Sequence, residues 1–302
     1  MQKKKRMNLL SDGIELTMKR EIKYIKMNKI NGLPAIATIA LLLFAFATPA
    51  VHAQDTKLVP AITRVPESLH LDKFYKKYLD ANGIFITASW RVPDSAMVQA
   101  WRILKFMTGD LPKPVLDAMV KVKTRVSVMA RYEGTTDIPE HAHLAADTTL
   151  NWDLRARGLG GDLELPLTSC AEENLLAYQI DKYHAEDILI HEFAHSIHLI
   201  GIVQVDTTFN KKLEKLLNQA VAKGKYANTY AKTDIAEYWA EGVQDWFNVN
   251  AEAPKADGKH NPLNTREELK KYDPDLYELI SHYFSEFKVS PSKHKKVNLY
   301  KI

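Results

Sequence analysis

The feature that most constrains this chain is the pattern His191-Glu-Phe-Ala-His195 inside an otherwise apolar segment. Hydrophobic residues flank it throughout residues 186–200, which predicts a largely buried helix. Burying two imidazoles and a carboxylate without partners costs on the order of several kcal/mol. The fold therefore has to bring partners to these side chains.

The spacing of the two histidines suits a single metal ion. On an α-helix, residues four apart lie on one face, with Cβ atoms about 5–6 Å apart. Two imidazoles placed in this way can bind one zinc ion at about 2.0–2.1 Å each. Glu192, next to the first histidine, is then placed to take a proton from water. We predict His191 and His195 as zinc ligands and Glu192 as general base.

A catalytic zinc site also needs a third protein ligand and one open position. His198 lies about 10 Å along the helix axis from His191, too far to reach the same ion, and is predicted to pack or to support a ligand from outside. Glu237 and Glu241, four residues apart on a later, mostly apolar helix, are better candidates. We predict Glu237 as ligand and Glu241 as an acceptor for a ligand imidazole. Two alternatives remain: Glu241 is the ligand and Glu237 the acceptor, or both glutamates lie on the surface in contact with solvent.

These residues together resemble a known family. The His-Glu-x-x-His pattern, followed by Tyr230, Glu237 and Glu241 at these spacings, is similar to the catalytic domain of anthrax toxin lethal factor and its relatives. Those proteins are zinc endopeptidases of the gluzincin type. The resemblance covers residues 185–250, and outside them no residue-by-residue match is found.

The resemblance implies a zincin-like domain and a role for each site residue. The implied set is zinc ligands His191, His195 and Glu237, general base Glu192, and Tyr230 as a phenol that assists the transition state. A phenol that donates to an oxyanion is worth about 3 kcal/mol. Ordinary packing is the alternative for Tyr230.

The remaining pattern predicts an α+β fold. Short β-branched segments at residues 84–88 and 124–132 predict strands, and residues 71–80 predict a helix that ends at Asn82-Gly83. Further helices are predicted over residues 94–108, 114–123, 186–200, 210–223 and 234–248, with Gly201 as a stop and two more helices beginning at Thr265 and Asp273. Strands and helices come first and mostly helices follow.

Residues 133–170 are rich in Gly, Pro and Asp and predict a long loop region with a short strand at 163–167. That strand is a candidate edge for pairing with an extended peptide. Arg155, Arg157 and the glycines of 158–161 are candidates for lining a cleft, and residues 257–260 for a binding loop. For each of these segments, an ordinary solvent loop is the preferred interpretation. His141 and His143 are weaker candidates for a second metal.

The N-terminus predicts a secretory signal, with a basic stretch, an apolar run at residues 36–47 and a small-residue pattern that ends at Ala53. The run is short for a membrane span, and an uncleaved anchor is the alternative. Met27 is a candidate for the true start. We predict residues 1–53 as the signal segment, 54–302 as the catalytic domain, and a secreted or periplasmic location after cleavage near Ala53.

The charge balance excludes one class of partner. Nine of the 41 basic residues but only three of the 37 acidic ones lie in residues 1–53, so the net charge of +4 comes from the predicted signal. The remainder is slightly acidic, and no nucleic-acid partner is expected. Membrane contact is expected only through an uncleaved N-terminal segment. The single cysteine, Cys170, excludes an intrachain disulfide and is predicted to be buried.

The sequence thus predicts a zinc-dependent metallopeptidase with peptide or protein substrates. One alternative is a narrow zinc amidase that acts on cell-wall peptides. Another is a zinc-stabilised binding domain without turnover, although a purely structural zinc site prefers four protein ligands.

Overall fold

Five strands form one mixed sheet in the computed structural model, which describes residues 60–294. In sheet order they are β1 (Lys77–Ala81), β2 (Ile84–Ala88), β3 (Arg125–Met129), β5 (Leu167–Ala171) and β4 (Gly158–Leu159). Strands β2, β3 and β5 are parallel, whereas β1 and β4 are antiparallel edges. The strands predicted at residues 84–88 and 124–132 are confirmed.

Helices make up most of the second half of the described chain. In chain order they are α1 (Asp94–Thr108), α2 (Lys113–Lys121), α3 (Trp152–Arg155), α4 (Glu172–Leu175), α5 (Ile188–Ser196), α6 (Val203–Val205), α7 (Phe209–Ala222), α8 (Ile235–Trp246), α9 (Arg266–Tyr272) and α10 (Pro274–Ser281). The predicted caps form, since Thr265 and Glu268 make a capping box and Asp273 accepts from the backbone of α10. The α+β class and its mostly helical second half are confirmed.

The helix predicted over residues 71–80 is wrong, because the second part of this segment is strand β1. Asn82 and Gly83 have φ of 59° and 87°, and they form the two-residue turn of a β-hairpin. Such a turn needs left-handed backbone at both positions, which Asn-Gly tolerates best. Leu79 lies opposite Ile86 on the buried face. The spacing of apolar residues in 71–80 is compatible with both a helix and a strand, and the hairpin turn at Asn82-Gly83 decides for the strand.

The strand predicted at residues 163–167 is also misplaced. Asp162 accepts hydrogen bonds from the backbone N–H groups of Glu164 and Leu165, both at 2.8 Å, and this closes a turn. Strand β5 begins only at Leu167 and lies inside the sheet. The edge strand is β4, which falls within the glycine-rich stretch.

Helix α5 lies in the centre of the core, between the sheet and α8. It packs on β5 through a contact between Ser196 Oγ and Thr168 Oγ1 at 2.6 Å. On the other side, the fully buried Trp239 of α8 donates its indole N–H to the carbonyl of Ala194 at 3.0 Å. These contacts fix the position of the helix that bears the motif.

The motif helix does not stop at Gly201 as predicted. It continues as a π-helix over Ile197–Ile202 and then as α6. The whole run Ile188–Val205 is long and apolar enough to cross a membrane by composition alone, but 72% of it is buried inside the fold, as in a core helix. A Cβ at Gly201 would lie 2.7 Å from Val115 Cγ1 of α2, so this glycine permits close helix packing.

The predicted signal segment, residues 1–53 with Met27 and the cleavage site near Ala53, lies outside the described residues. It stays a prediction, as does the boundary between 1–53 and 54–302.

The close approach at Gly201 predicts a stability effect. We expect Gly201→Ala to lower the free energy of unfolding by about 1–3 kcal/mol, because the new methyl group overpacks the contact with α2. Urea unfolding measures it. Val115→Ala removes the Cγ1 atom that the new methyl group would meet. The double variant should therefore lose less free energy of unfolding than the two single variants lose together. Strictly additive losses would contradict the steric explanation.

Candidate metal centre

Helix α5 is held at its N-terminus by buried polar side chains. Asp187 is the N-cap and accepts from the backbone N–H of Ile190 at 3.0 Å. The amide oxygen of Asn174 accepts from the N–H of Ile188 at 2.9 Å. Two of the free backbone donors of the first turn are therefore satisfied. The helix then presents His191 and His195 together on the face toward α8.

Helix α8 is set against α5 by its own cap and by Trp239. Asp234 accepts from the backbone N–H groups of Ala236 and Glu237 at 2.8 and 2.9 Å. Together with the indole bond to Ala194, this fixes both the start and the rotation of α8. As a result, Glu237 faces the two histidines.

The three side chains meet at one point. His191 Nε2 lies 3.1 Å from His195 Nε2 and 3.1 Å from Glu237 Oε2, and His195 Nε2 lies 3.6 Å from the same oxygen. Ligand atoms around a tetrahedral zinc ion with bonds of about 2.0–2.1 Å stand about 3.3 Å apart. Among the described residues, this is the one group of three or more His, Cys, Asp or Glu side chains close enough to hold a metal ion. The donor set fits zinc.

The orientation of Gln244 fixes the tautomer of His191. The Gln244 amide nitrogen donates to the carbonyl of Asp187 at 3.1 Å, so its oxygen faces His191 Nδ1 at 2.8 Å. An amide oxygen accepts only, hence Nδ1 carries a proton, and in the neutral imidazole Nε2 keeps its lone pair for a metal. A hydrogen bond of this kind orients a ligand histidine and raises its basicity.

The electrostatics of the cluster favour a cation. Burial alone would lower the pKa of His191, but the surrounding carboxylates, Glu237 foremost, outweigh burial and raise this pKa to about 10. Burial also opposes the charge of Glu237, yet hydrogen bonds from both imidazoles lower the pKa of that carboxyl to about 2. The ionised carboxylate and its neighbours thus attract positive charge between the ligand atoms.

Glu192 and Glu241 occupy different environments. Glu192 is half-buried on the cavity wall, and burial raises the pKa of its carboxyl while the two nearby imidazoles oppose the rise. Glu241 is buried behind the cluster, 3.7 Å from His191 Nδ1, and accepts from Asn250 at 3.0 Å. The nearer acceptor for His191 is therefore Gln244, which the sequence analysis missed. Glu241 does not reach the face where the three ligand atoms meet.

Tyr230 lies on the wall of the same cavity as the cluster. It is half-buried in a 3₁₀ turn, Tyr230–Lys232, just before α8. Burial and then the charge of Glu237 raise the pKa of its phenol, while the Arg155 guanidinium beside it acts in the opposite direction. The hydroxyl therefore keeps its proton at neutral pH and is a donor.

The cavity holds about 410 Å³, and strand β4 forms one wall. Its glycines let the backbone lie directly on α5. A Cβ at Gly160 would stand 2.7 Å from Cβ of His195, and a Cβ at Gly158 would stand 2.5 Å from Ile188 and 3.0 Å from Cγ of Glu192. Gly158 and Gly160 therefore line the cleft by close backbone approach, which was the less favoured interpretation of this stretch.

The other sequence candidates have separate roles. Arg157 lines the cavity but is buried in a bidentate ion pair with Glu173, at 2.6 and 3.1 Å. His198 is buried and bonds to Asn210 at 2.7 Å, in keeping with the packing role predicted for it. His141 is buried and His143 is not, and no third ligand joins them among the described residues. Cys170 is buried in β5.

A polar pair on the cavity wall includes one residue, Glu186, that the sequence did not single out. Glu186 Oε2 lies 3.6 Å from Nε2 of His260 and accepts from Gln244 at 3.4 Å. His260 lines the cavity from the loop at residues 257–260, for which a binding loop was the less favoured of two readings. Burial opposes ionisation of Glu186, but His260 and its other partners lower the pKa of this carboxyl overall. A charged Glu186–His260 pair thus borders the site.

Comparison with known proteins finds similarity to solved structures only. No family model and no curated protein matches the chain. Among solved structures, the chain is similar to the Pro-Pro endopeptidase PPEP-2 from Paenibacillus alvei. The alignment has a TM-score of 0.44 and 18% identity, and it covers 65% of this chain and 95% of the other. A similarity of this size does not establish a common family.

Proposed function

We propose that this protein is a zinc-dependent metallopeptidase that hydrolyses peptide bonds. The observation that carries the proposal is the convergence of His191, His195 and Glu237 at 3.1–3.6 Å on the wall of an open cavity. Three protein ligands beside a cavity leave a coordination position for water or substrate. A structural site would be closed by a fourth ligand, which favours an enzyme over a silent binding domain.

The residues around the cluster have complementary tasks in this reaction. When bound, zinc supplies Lewis-acid activation of water and of the scissile carbonyl. Glu192 accepts the proton of the attacking water and passes it to the leaving amine, and its raised pKa suits a base that must later act as an acid. The protonated phenol of Tyr230 donates to the oxyanion that develops in the transition state.

Strand β4 offers a place for the peptide to bind. It pairs with β5 on one side, and its other edge has no strand partner among the described residues. An extended peptide can add to such an edge by main-chain hydrogen bonds. Because β4 lies against α5 through Gly158 and Gly160, this would set the peptide next to Glu192.

The lethal factor-like assignment is part of the proposal. Its support in this chain is that Tyr230 and Glu237 line the same cavity as the His-Glu-x-x-His residues. The proposed location is secreted or periplasmic, after removal of residues 1–53.

The first prediction concerns the metal. We expect the purified protein to retain about one zinc ion per chain and Glu237→Gln to lose most of it on dialysis, because the ligand oxygen is replaced. Glu241→Gln is the matched control and should keep its zinc, since that carboxyl lies behind the cluster. Elemental analysis measures this. If Glu241→Gln loses zinc and Glu237→Gln keeps it, Glu241 is the ligand and the assignment of Glu237 is wrong.

The second prediction concerns the base. Glu192→Gln should keep zinc and lose about 10²–10⁴-fold in kcat, because the amide cannot accept the proton. Digestion of a broad peptide library, read by mass spectrometry, measures it. Full activity in this variant would remove Glu192 from the mechanism. A library that the unaltered protein leaves intact would instead favour the narrow amidase.

The third prediction concerns the phenol. Tyr230→Phe should lower kcat by about 10²-fold with little change in KM, because the lost donor acts only in the transition state. Steady-state kinetics on one cleaved peptide measure both constants. Tyr226→Phe, the same change outside this cavity, is the control and should keep kcat. An equal effect of both variants would show that Tyr230 acts only through packing.

A further inference from the structure

Two cations line the metal cavity without a carboxylate partner. Arg155 and Lys259 are both exposed on its wall. Among the described residues, neither side chain forms an ion pair. Some other arginines of this domain are paired, for example Arg157 with Glu173 and Arg125 with Glu140.

Both cations lie at the Tyr230 end of the cavity. The backbone N–H of Tyr230 donates to the carbonyl of Lys259 at 2.8 Å. The guanidinium of Arg155 lies beside the Tyr230 phenol, and Tyr183 donates its hydroxyl to the Arg155 carbonyl at 3.2 Å. The guanidinium of Arg155 and the backbone of Lys259 therefore both adjoin Tyr230, the residue proposed to bind the oxyanion.

The carboxylates of the cavity lie mainly around the imidazoles. Glu237 lies 3.1 Å from His191 Nε2, Glu241 lies 3.7 Å from His191 Nδ1, and Glu186 lies 3.6 Å from His260. Among the described residues, none of the cavity carboxylates forms an ion pair with Arg155 or Lys259. These two exposed cations therefore remain available to an anionic group.

We propose that the substrates of this site carry a carboxylate next to the scissile peptide bond, bound by Arg155 and Lys259. This inference rests on the proposed peptidase function and names its substrate class. A guanidinium binds a carboxylate with two parallel hydrogen bonds, and a neighbouring ammonium adds a point charge. The carboxylate belongs either to an Asp or Glu side chain or to the free C-terminus of a peptide.

Matched peptides test the proposal on the zinc-loaded full chain. The peptides of a set are identical except at one position beside the cleaved bond. That position holds an acidic residue (Asp or Glu), its amide counterpart (Asn or Gln) or Lys. We expect the acidic member to exceed its amide counterpart by roughly tenfold in kcat/KM, mainly through KM, because a binding contact is made before the transition state. A second arm compares free C-terminal acids with C-terminal amides and identifies the source of the carboxylate.

Charge-reversal variants assign the effect to these residues. Arg155→Glu and Lys259→Glu should abolish the preference for the acidic member and favour the Lys peptide. Lys211→Glu makes the same change in net charge on the exposed face of α7, away from the cavity, and should keep the original preference. If all three variants lose the preference for acidic peptides equally, the preference comes from net charge alone, and the proposal is wrong.

A binding assay separates this proposal from the proposed function. The Glu192→Gln variant, in which turnover is slowed, should still bind peptide, and the change in tryptophan fluorescence, to which Trp152 on the cavity wall contributes, measures that binding. Tighter binding of acidic peptides than of amide peptides supports the proposed carboxylate site. If no peptide is cleaved, that result contradicts the proposed peptidase activity but not the carboxylate site. Equal binding and equal cleavage of both peptides would overturn the inference and leave the peptidase standing.

Discussion

Two imidazole nitrogens that face each other at 3.1 Å in the core impose the main constraint on this structure. Their lone pairs repel unless a proton or a metal ion lies between them, and burial makes an unpartnered charge costly. The fold meets this constraint with the carboxylate of Glu237, held ionised by the same imidazoles. A dication at this point would satisfy all three groups at once, which a proton on one nitrogen cannot do.

The rest of the fold positions these three groups. Trp239 ties α8 to the backbone of α5, and Gln244 sets the tautomer of His191 from behind. Strand β4, with Gly158 and Gly160, closes the opposite side without occupying the cavity. The contacts that stabilise the core are therefore also the contacts that orient the candidate ligands. The substrate side is formed by short helical turns and a loop, which carry Arg155, Tyr230 and Lys259.

Local patterns in the sequence predicted the parts of the site that depend on one helix. The pair His191 and His195 follows from helical spacing, and the carboxylates of α8 follow from their apolar neighbours. Gln244 was missed because an amide has no strong spacing signal, although it continues the face of Glu237 and Glu241 one turn further. Strands β1 and β4 were missed because pairing and close glycine contacts are settled by distant segments, which periodicity along the chain does not record.

X-ray absorption at the zinc edge of the zinc-loaded protein reports the atoms bound to the ion and therefore examines the proposed ligand set itself. We expect two imidazole ligands at about 2.0–2.1 Å and a remaining shell made of oxygen only. A spectrum with sulfur, with fewer than two imidazoles, or with hydrated zinc outside the protein would contradict it.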